Sequence, residues 1–239
     1  MTKAHENIDF MSSTEARPLR ILSEYFEPRA RLAANDVNRA VIFWGSARLK
    51  PDRDSPVDAS VGYYNQARLL AARIVQWTMA QHDEGERYYI CTGGGPGIME
   101  AANRGAADVN PALSIGFGIS LPKERGSNGY IDERLDFEFH YFFMRKFWFT
   151  NVASALVIFP GGFGTMDELF EMLTLNQTGR HERIPVVLYG RDFWERLIDF
   201  NVFEELGLIS PEDLSLVHIA DNVAEAFDFL STGLAPCAQ

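Results

Sequence analysis

Cysteine is nearly absent: Cys91 and Cys237 are the only two, far apart in the chain. They form no framework, which excludes a disulfide-stapled scaffold and suits a reducing compartment. No apolar run approaches the roughly 20 residues of a membrane-spanning helix, and residues 1–13 hold no apolar core of the kind a signal peptide needs. The expectation is a cytoplasmic protein with no membrane partner. Basic residues are also scarce, with 22 Lys and Arg against 33 Asp and Glu and a formal charge of −11. That balance excludes nucleic acid as a general partner, while a local basic pocket for one phosphate stays compatible with it.

Several motifs are missing as well. No Gly-Lys-Ser/Thr follows a glycine cluster, which disfavours a magnesium-dependent nucleotide triphosphatase. The dinucleotide fingerprint fails too, because Gly93 and Gly95 are followed three residues on by Ile98, and Gly162 and Gly164 by Asp167. There is no G-x-S-x-G elbow, no H-E-x-x-H and no metal-spaced Cys/His set, so no metal ligands are assigned. His82, His140 and His181 are scattered and read as solvated or packing residues.

What the chain does have is a 46% apolar composition over 239 residues, enough for one substantial core. Apolar runs at 40–44, 88–91, 113–119, 137–143, 155–159, 185–189 and 216–219 read as strands. Between and after them lie helical patterns, at 63–77, from 98, at 144–153, from Thr165 to about Gly179, at 193–200 and at 223–230. Strand and helix alternating in this way predict an α/β fold, a Rossmann-like doubly wound parallel sheet with helices on both faces. The expected division is a helical extension over 1–36, one nucleotide-binding domain over 37–232 and a tail over 233–239. In the extension, Ser12 caps a helix with Glu15 three residues on, and Pro28 interrupts it. The stretch 121–136 reads as a long irregular loop, a class that is usually functional or mobile.

The most informative segment runs from Ala155 to Leu169: a buried strand, then Pro160-Gly161-Gly162-Phe163-Gly164, then a helix expected to open at Thr165. Its glycines leave backbone N–H groups bare, and the following helix aims its positive end at the same place, so the turn suits an anion such as phosphate. Against this stands a plain reading in which Thr165 and Glu168 form a capping box and bind nothing. Two further glycine-bearing turns, at Gly45-Ser46 and Gly93 to Gly97, should share the same rim, where ligands of such sheets bind. Arg145 and Lys146 open the preceding helix; two cations there oppose the macrodipole, and a bound anion would relieve them.

The segment Pro160-Gly161-Gly162-Phe163-Gly164-Thr165-Met166-Asp167-Glu168 resembles the P-G-G-x-G-T-x-x-E motif of the Lonely Guy (LOG) phosphoribohydrolases, and Arg145-Lys146 matches their R-K pair. The resemblance extends to Gly45-Ser46, to Gly97-Ile98-Met99 and to Leu121-Pro122-Lys123-Glu124, covering roughly 41–187. It implies cleavage of the N-glycosidic bond of purine, adenine-type nucleoside 5′-monophosphates, cytokinin ribotides included, to free base and ribose 5-phosphate. It also implies Arg145 and Glu168 as catalytic residues. The substrate-binding positions it implies are Gly45, Ser46, Gly94, Gly95, Gly97, Met99, Glu124, Lys146, Gly161, Gly162, Phe163, Gly164, Thr165 and Asp167, with no cofactor.

Chemically, a carboxylate beside the ribose can stabilise an oxocarbenium-like state or take a proton from water. Glu168 near a helix N-terminus is expected to be ionised and so poorly suited to act as an acid. Arg145 does electrostatic work only, since a guanidinium does not give up its proton. Two alternatives stay open. One is a non-catalytic carrier, since the fold is similar to that of molybdenum-cofactor carrier proteins; the other is a pyridoxal-phosphate decarboxylase, whose Schiff-base lysine would have to be Lys3, Lys50, Lys123 or Lys146. The amphipathic extension and the aromatic run from Phe137 to Phe149 point to a homodimer or higher homo-oligomer.

Overall fold

The computed structural model of the chain describes residues 2–51, 62–120, 126–179 and 183–234. In order come α1 (Ile8–Ser12), α2 (Arg17–Ala34), β1 (Ala40–Trp44), α3 (Tyr63–Gln81), β2 (Tyr89–Thr92), α4 (Ile98–Ala107), β3 (Ser114–Ile119) and β4 (Asp136–Phe139). Then follow α5 (Phe142–Val152), β5 (Ala153–Ile158), α6 (Phe163–Gln177), β6 (Val186–Tyr189), α7 (Arg191–Leu197), α8 (Phe200–Glu205), β7 (His218–Ala220) and α9 (Val223–Leu234).

All seven strands are parallel, in the order β4-β3-β2-β1-β5-β6-β7. This is the doubly wound sheet that the alternation of elements predicts. Every residue of β1, β2 and β6 is buried, as continuous apolar strands covered on both faces should be. Helices α3, α4 and α9 pack together, α2 packs on α5, and right-handed crossovers send these groups to opposite faces. The strand order reverses between β1 and β5. A crevice therefore opens above their carboxyl ends, at Gly45 and at Gly161.

Several boundaries differ from the sequence-based expectation. The aromatic run 137–143 is not all strand: β4 ends at Phe139 and α5 already starts at Phe142. The single helix expected over 193–200 is two, α7 and α8, parted at Ile198 and Asp199, whose side chain caps α8. Ser12 ends α1 rather than capping the long helix.

Pro28 does not stop α2 but lies buried within it. A proline there leaves the carbonyl four residues earlier, that of Glu24, without an intrahelical donor. The indole of Trp148 on α5 fills the gap, its Nε1–H donating to Glu24 O at 2.8 Å. The residue expected to break the helix is thus part of how the helix docks.

Candidate active site

Three loops meet at the switch point and are stitched together by backbone. Ser46 N–H donates to Pro160 O at 3.0 Å, and Ile98 N–H donates to Ser46 O at 3.1 Å. Gly45 makes the approach possible, since a Cβ there would sit 2.9 Å from the Ile98 side chain. The result is a cleft of about 740 Å³, inside the range of roughly 300–1,000 Å³ usual for small-molecule sites.

Helix α6 forms one wall. It begins at Phe163 with Gly162 as its N-cap, two residues before the expected start, and no side chain caps it. The capping box therefore does not form. Thr165 is instead the third helical residue, buried against Gly161, where a Cβ would collide with its hydroxyl. Gly162 and Gly164 behave differently, because a Cβ at either would meet open space. The first intrahelical bond of the turn runs from Met166 N–H to Gly162 O at 3.1 Å. The N–H groups before it are those an anion at this helix end would take.

Across the cleft, α5 presents Arg145. Its Nε–H donates to Phe117 O at 2.7 Å, and its Nη1 lies 3.7 Å from Glu168 Oε1. The guanidinium lies over the glycine turn, where a side chain at Gly93 would collide with it. Only 14% of the Glu168 side chain is exposed. Burial pushes its carboxyl up to about 7, and the neighbouring guanidinium offsets only part of that. This corrects the expectation of a fixed carboxylate: desolvation outweighs the helix end.

Of the positions read from the sequence, Gly45, Ser46, Gly95, Met99, Arg145, Gly161, Gly162, Phe163, Gly164, Thr165 and Glu168 line this one cleft. Five do not. Lys146 turns away and pairs with Asp167 at 2.7 Å and Glu171 at 3.2 Å, so Lys146 and Asp167 hold α5 to α6 beside an adjoining depression that shares Phe163 and Met166 with the cleft. The two cations of α5 are thus not left unpartnered. Gly94 lines a smaller neighbouring cavity, and Gly97, at φ +73°, is packed so tightly that a Cβ would strike the Ser46 carbonyl. Glu124 lies outside the described residues.

Arg48, Trp44, Phe142, Met166, Phe193 and Leu197 line the cleft and were not anticipated. For Arg48 a signal existed, since it stands two residues after Ser46, whose hydroxyl accepts its N–H at 3.1 Å. The apolar residues reach the cleft from β1, α5, α6 and α7, a convergence no local pattern encodes. Among the described residues no His, Cys, Asp or Glu group is arranged to hold a metal ion. No described helix is long and apolar enough to cross a membrane.

A family described as "Possible lysine decarboxylase" matches residues 99–230, more than half of the chain. A pyrimidine/purine nucleotide 5′-monophosphate nucleosidase of Escherichia coli is 32% identical over 134 residues, 49% of this chain and 28% of that protein. The chain therefore spans little more than a quarter of that relative's length. A cytokinin riboside 5′-monophosphate phosphoribohydrolase of Arabidopsis thaliana is 28% identical over 204 residues, covering 84% of this chain and 85% of the relative. Among solved structures, a molybdenum cofactor binding protein of Rippkaea orientalis aligns with a TM-score of 0.49 at 18% identity, over 81% of this chain and 96% of that one. The chain belongs to the family described as possible lysine decarboxylases, the Lonely Guy (LOG) family.

Proposed function

We propose that this protein hydrolyses the N-glycosidic bond of purine, adenine-type nucleoside 5′-monophosphates, releasing the free base and ribose 5-phosphate. One observation carries the reading: the uncapped glycine turn of α6 and the Arg145–Glu168 pair line a single cleft. The named activities of the nucleosidase and phosphoribohydrolase relatives support the same reaction class.

In this reading the phosphate takes the bare N–H groups at the start of α6, and Arg48 meets it from the opposite loop. That anchor brings the anomeric carbon to Glu168. As the C–N bond breaks, its electron pair leaves with the base and positive charge grows on the sugar. The ionised carboxylate stabilises that charge and takes a proton from the attacking water, whose oxygen bonds to the anomeric carbon. The departing base nitrogen needs one proton, and a carboxyl titrating at about 7 can release the one it has just taken. Water is thereby added across the bond, hydroxyl to sugar and hydrogen to base. The base lies against the apolar side of the cleft, among Phe142, Phe193 and Leu197. No lysine of the described residues lines the cleft, and Lys146, on the same helix as Arg145, is held by two carboxylates; a Schiff-base decarboxylase is disfavoured on that geometry.

The reading includes a homodimer or higher homo-oligomer. Its support is a set of exposed apolar side chains on neighbouring helices: Leu22 and Phe26 on α2 and Phe143 and Phe147 on α5. A light-scattering mass equal to one chain would contradict it. The cysteine-poor composition fits a cytoplasmic setting. The reaction itself is tested by incubating the protein with a panel of nucleoside monophosphates and the matching nucleosides, then separating the products. Base and ribose 5-phosphate are expected from AMP and none from adenosine; no base from any monophosphate would overturn the proposal.

A further inference from the structure

Helix α2 grips the start of α5 through one residue. The Glu24 carboxylate accepts the N–H of His140 at 2.8 Å and that of Tyr141 at 3.2 Å, and Tyr141 is the N-cap of α5. That helix has no side-chain cap of its own and no acid in its first turn. Arg145 and Lys146 follow immediately, cations placed against the positive end of the macrodipole. A carboxylate delivered from another element satisfies the N–H of the N-cap residue and of the residue before it, and offsets that charge. The same residue is held a second time, because Pro28 frees the Glu24 carbonyl for Trp148. Tyr25 adds ring contacts to Phe147 and Trp148, at 5.5 and 6.0 Å between centroids.

From this grip to the cleft is one helical turn. The Tyr141 carbonyl accepts the N–H of Arg145 at 3.1 Å, and the Arg145 side chain in turn reaches Phe117 O and Glu168.

We propose that Glu24 is a positioning residue for the cleft: from the N-terminal helix it caps α5 and thereby holds Arg145 beside Glu168. The proposal rests on the reading of Arg145 and Glu168 given above. It makes residues 17–34 a working part of the site rather than an appendage. The groups that act on the Glu168 charge are Arg145 and Lys146 from α5 and Asp167 and Glu171 from its own helix, with the buried Cys91 thiol of β2 also close. Among these, Arg145 is the strongest influence that keeps the carboxyl low, so loosening Arg145 lets it titrate higher.

The test compares the full-length wild type with Glu24→Ala, Glu24→Gln and, as a control, Glu27→Ala, whose carboxylate pairs with Arg31 on the same helix at 2.9 Å. Three quantities are read: kcat and KM for AMP, the pH profile of kcat, and amide hydrogen exchange over 140–146. Glu24→Ala is expected to lower kcat about tenfold with KM within about twofold, the mark of a mislaid catalytic group rather than lost binding. Its acidic limb shifts to higher pH and its 140–146 amides exchange faster, while the rest of the chain keeps its protection. Glu24→Gln retains one acceptor oxygen and falls between, and decides the matter if the alanine variant does not fold; Glu27→Ala behaves as wild type. Unchanged kcat, limb and exchange in Glu24→Ala would overturn the proposal, as would an equal loss in Glu27→Ala. Should the wild type release no base, the reaction reading fails on its own. The exchange measurement then still decides whether Glu24 holds α5, with faster exchange supporting it and unchanged exchange overturning it.

Discussion

At Gly162 and Gly164 a methyl group would meet open space, whereas at Gly93, Gly95 and Gly97 it would run into Arg145, Met99 and the backbone of Ser46. Both turns are glycine-rich, both follow a buried strand and both open a helix. On the proposed reading the first is bare so that a ligand can fill it, whereas the second is bare because the protein already does. The second turn is also laced with side chains: Thr92 Oγ1 accepts the Gly94 N–H at 2.9 Å, and Asn128 donates to the Gly94 and Gly95 carbonyls at 3.1 Å. Glycine content alone therefore does not separate a ligand cradle from a packing joint; what surrounds the missing Cβ does.

The comparison breaks most visibly at the chemistry beside the open turn. Glu168→Gln and Arg145→Ala should each lower base release by roughly 10²–10⁴-fold, with the far-UV circular dichroism of the wild type retained. Next comes the packed turn. Gly97→Ala places a side chain at φ +73° against a carbonyl, a strain on the order of 3 kcal/mol or more, so its melting temperature should fall by roughly 10 °C. Gly164→Ala is the counterpart. It should leave the melting temperature unchanged or slightly raised, since alanine is the better helix former, yet weaken ribose 5-phosphate binding by about tenfold or more. If both substitutions cost stability and neither costs binding, the distinction between the turns is lost.

A pH series sharpens the account further. Burial pushes the Glu168 carboxyl up to about 7 in the folded protein, above its ordinary 4.5, so the folded state holds its proton more tightly than the unfolded one. Its contribution to stability is then full below about pH 4.5 and declines as pH rises to about 7. Relative to Glu168→Gln, the wild type should lose on the order of 3 kcal/mol over that window and nothing further above it. Equal pH dependence in the two proteins would mean that the carboxyl is not shifted. Turnover should follow the opposite slope, rising through about pH 7 as the base form appears. The smallest effect is expected at the mouth of the cleft: Arg48→Ala should raise KM by about tenfold or less while kcat stays near wild type.

Much of this was legible in the sequence, and the exceptions have physical causes. The strands could be read because a parallel strand buried on both faces is apolar without interruption, as in residues 40–44. The turn of α6 reads as a candidate anion site because its glycines precede a helical pattern. Where that helix starts could not, since Gly162-Phe163-Gly164 has the composition of a loop and becomes helical in its tertiary setting. The raised titration of Glu168 was hidden for a similar reason. The helix end is local and favours the anion, whereas the burial that outweighs it comes from neighbouring elements, α5 among them. Lys146 lies outside the cleft because a neighbour of Arg145 in sequence points to another side of the helix, toward Asp167 and Glu171. Pro28 reads as a stop in the sequence because Trp148, which donates to the carbonyl that the proline frees, is distant in the chain.

The most direct measurement is a calorimetric titration of ribose 5-phosphate and of ribose into the wild type and Gly164→Ala. The account predicts that the phosphorylated sugar binds the wild type, that ribose does not, and that the single added methyl group removes most of the affinity without unfolding the protein. Equal affinity for the two sugars, or for the two proteins, would contradict it.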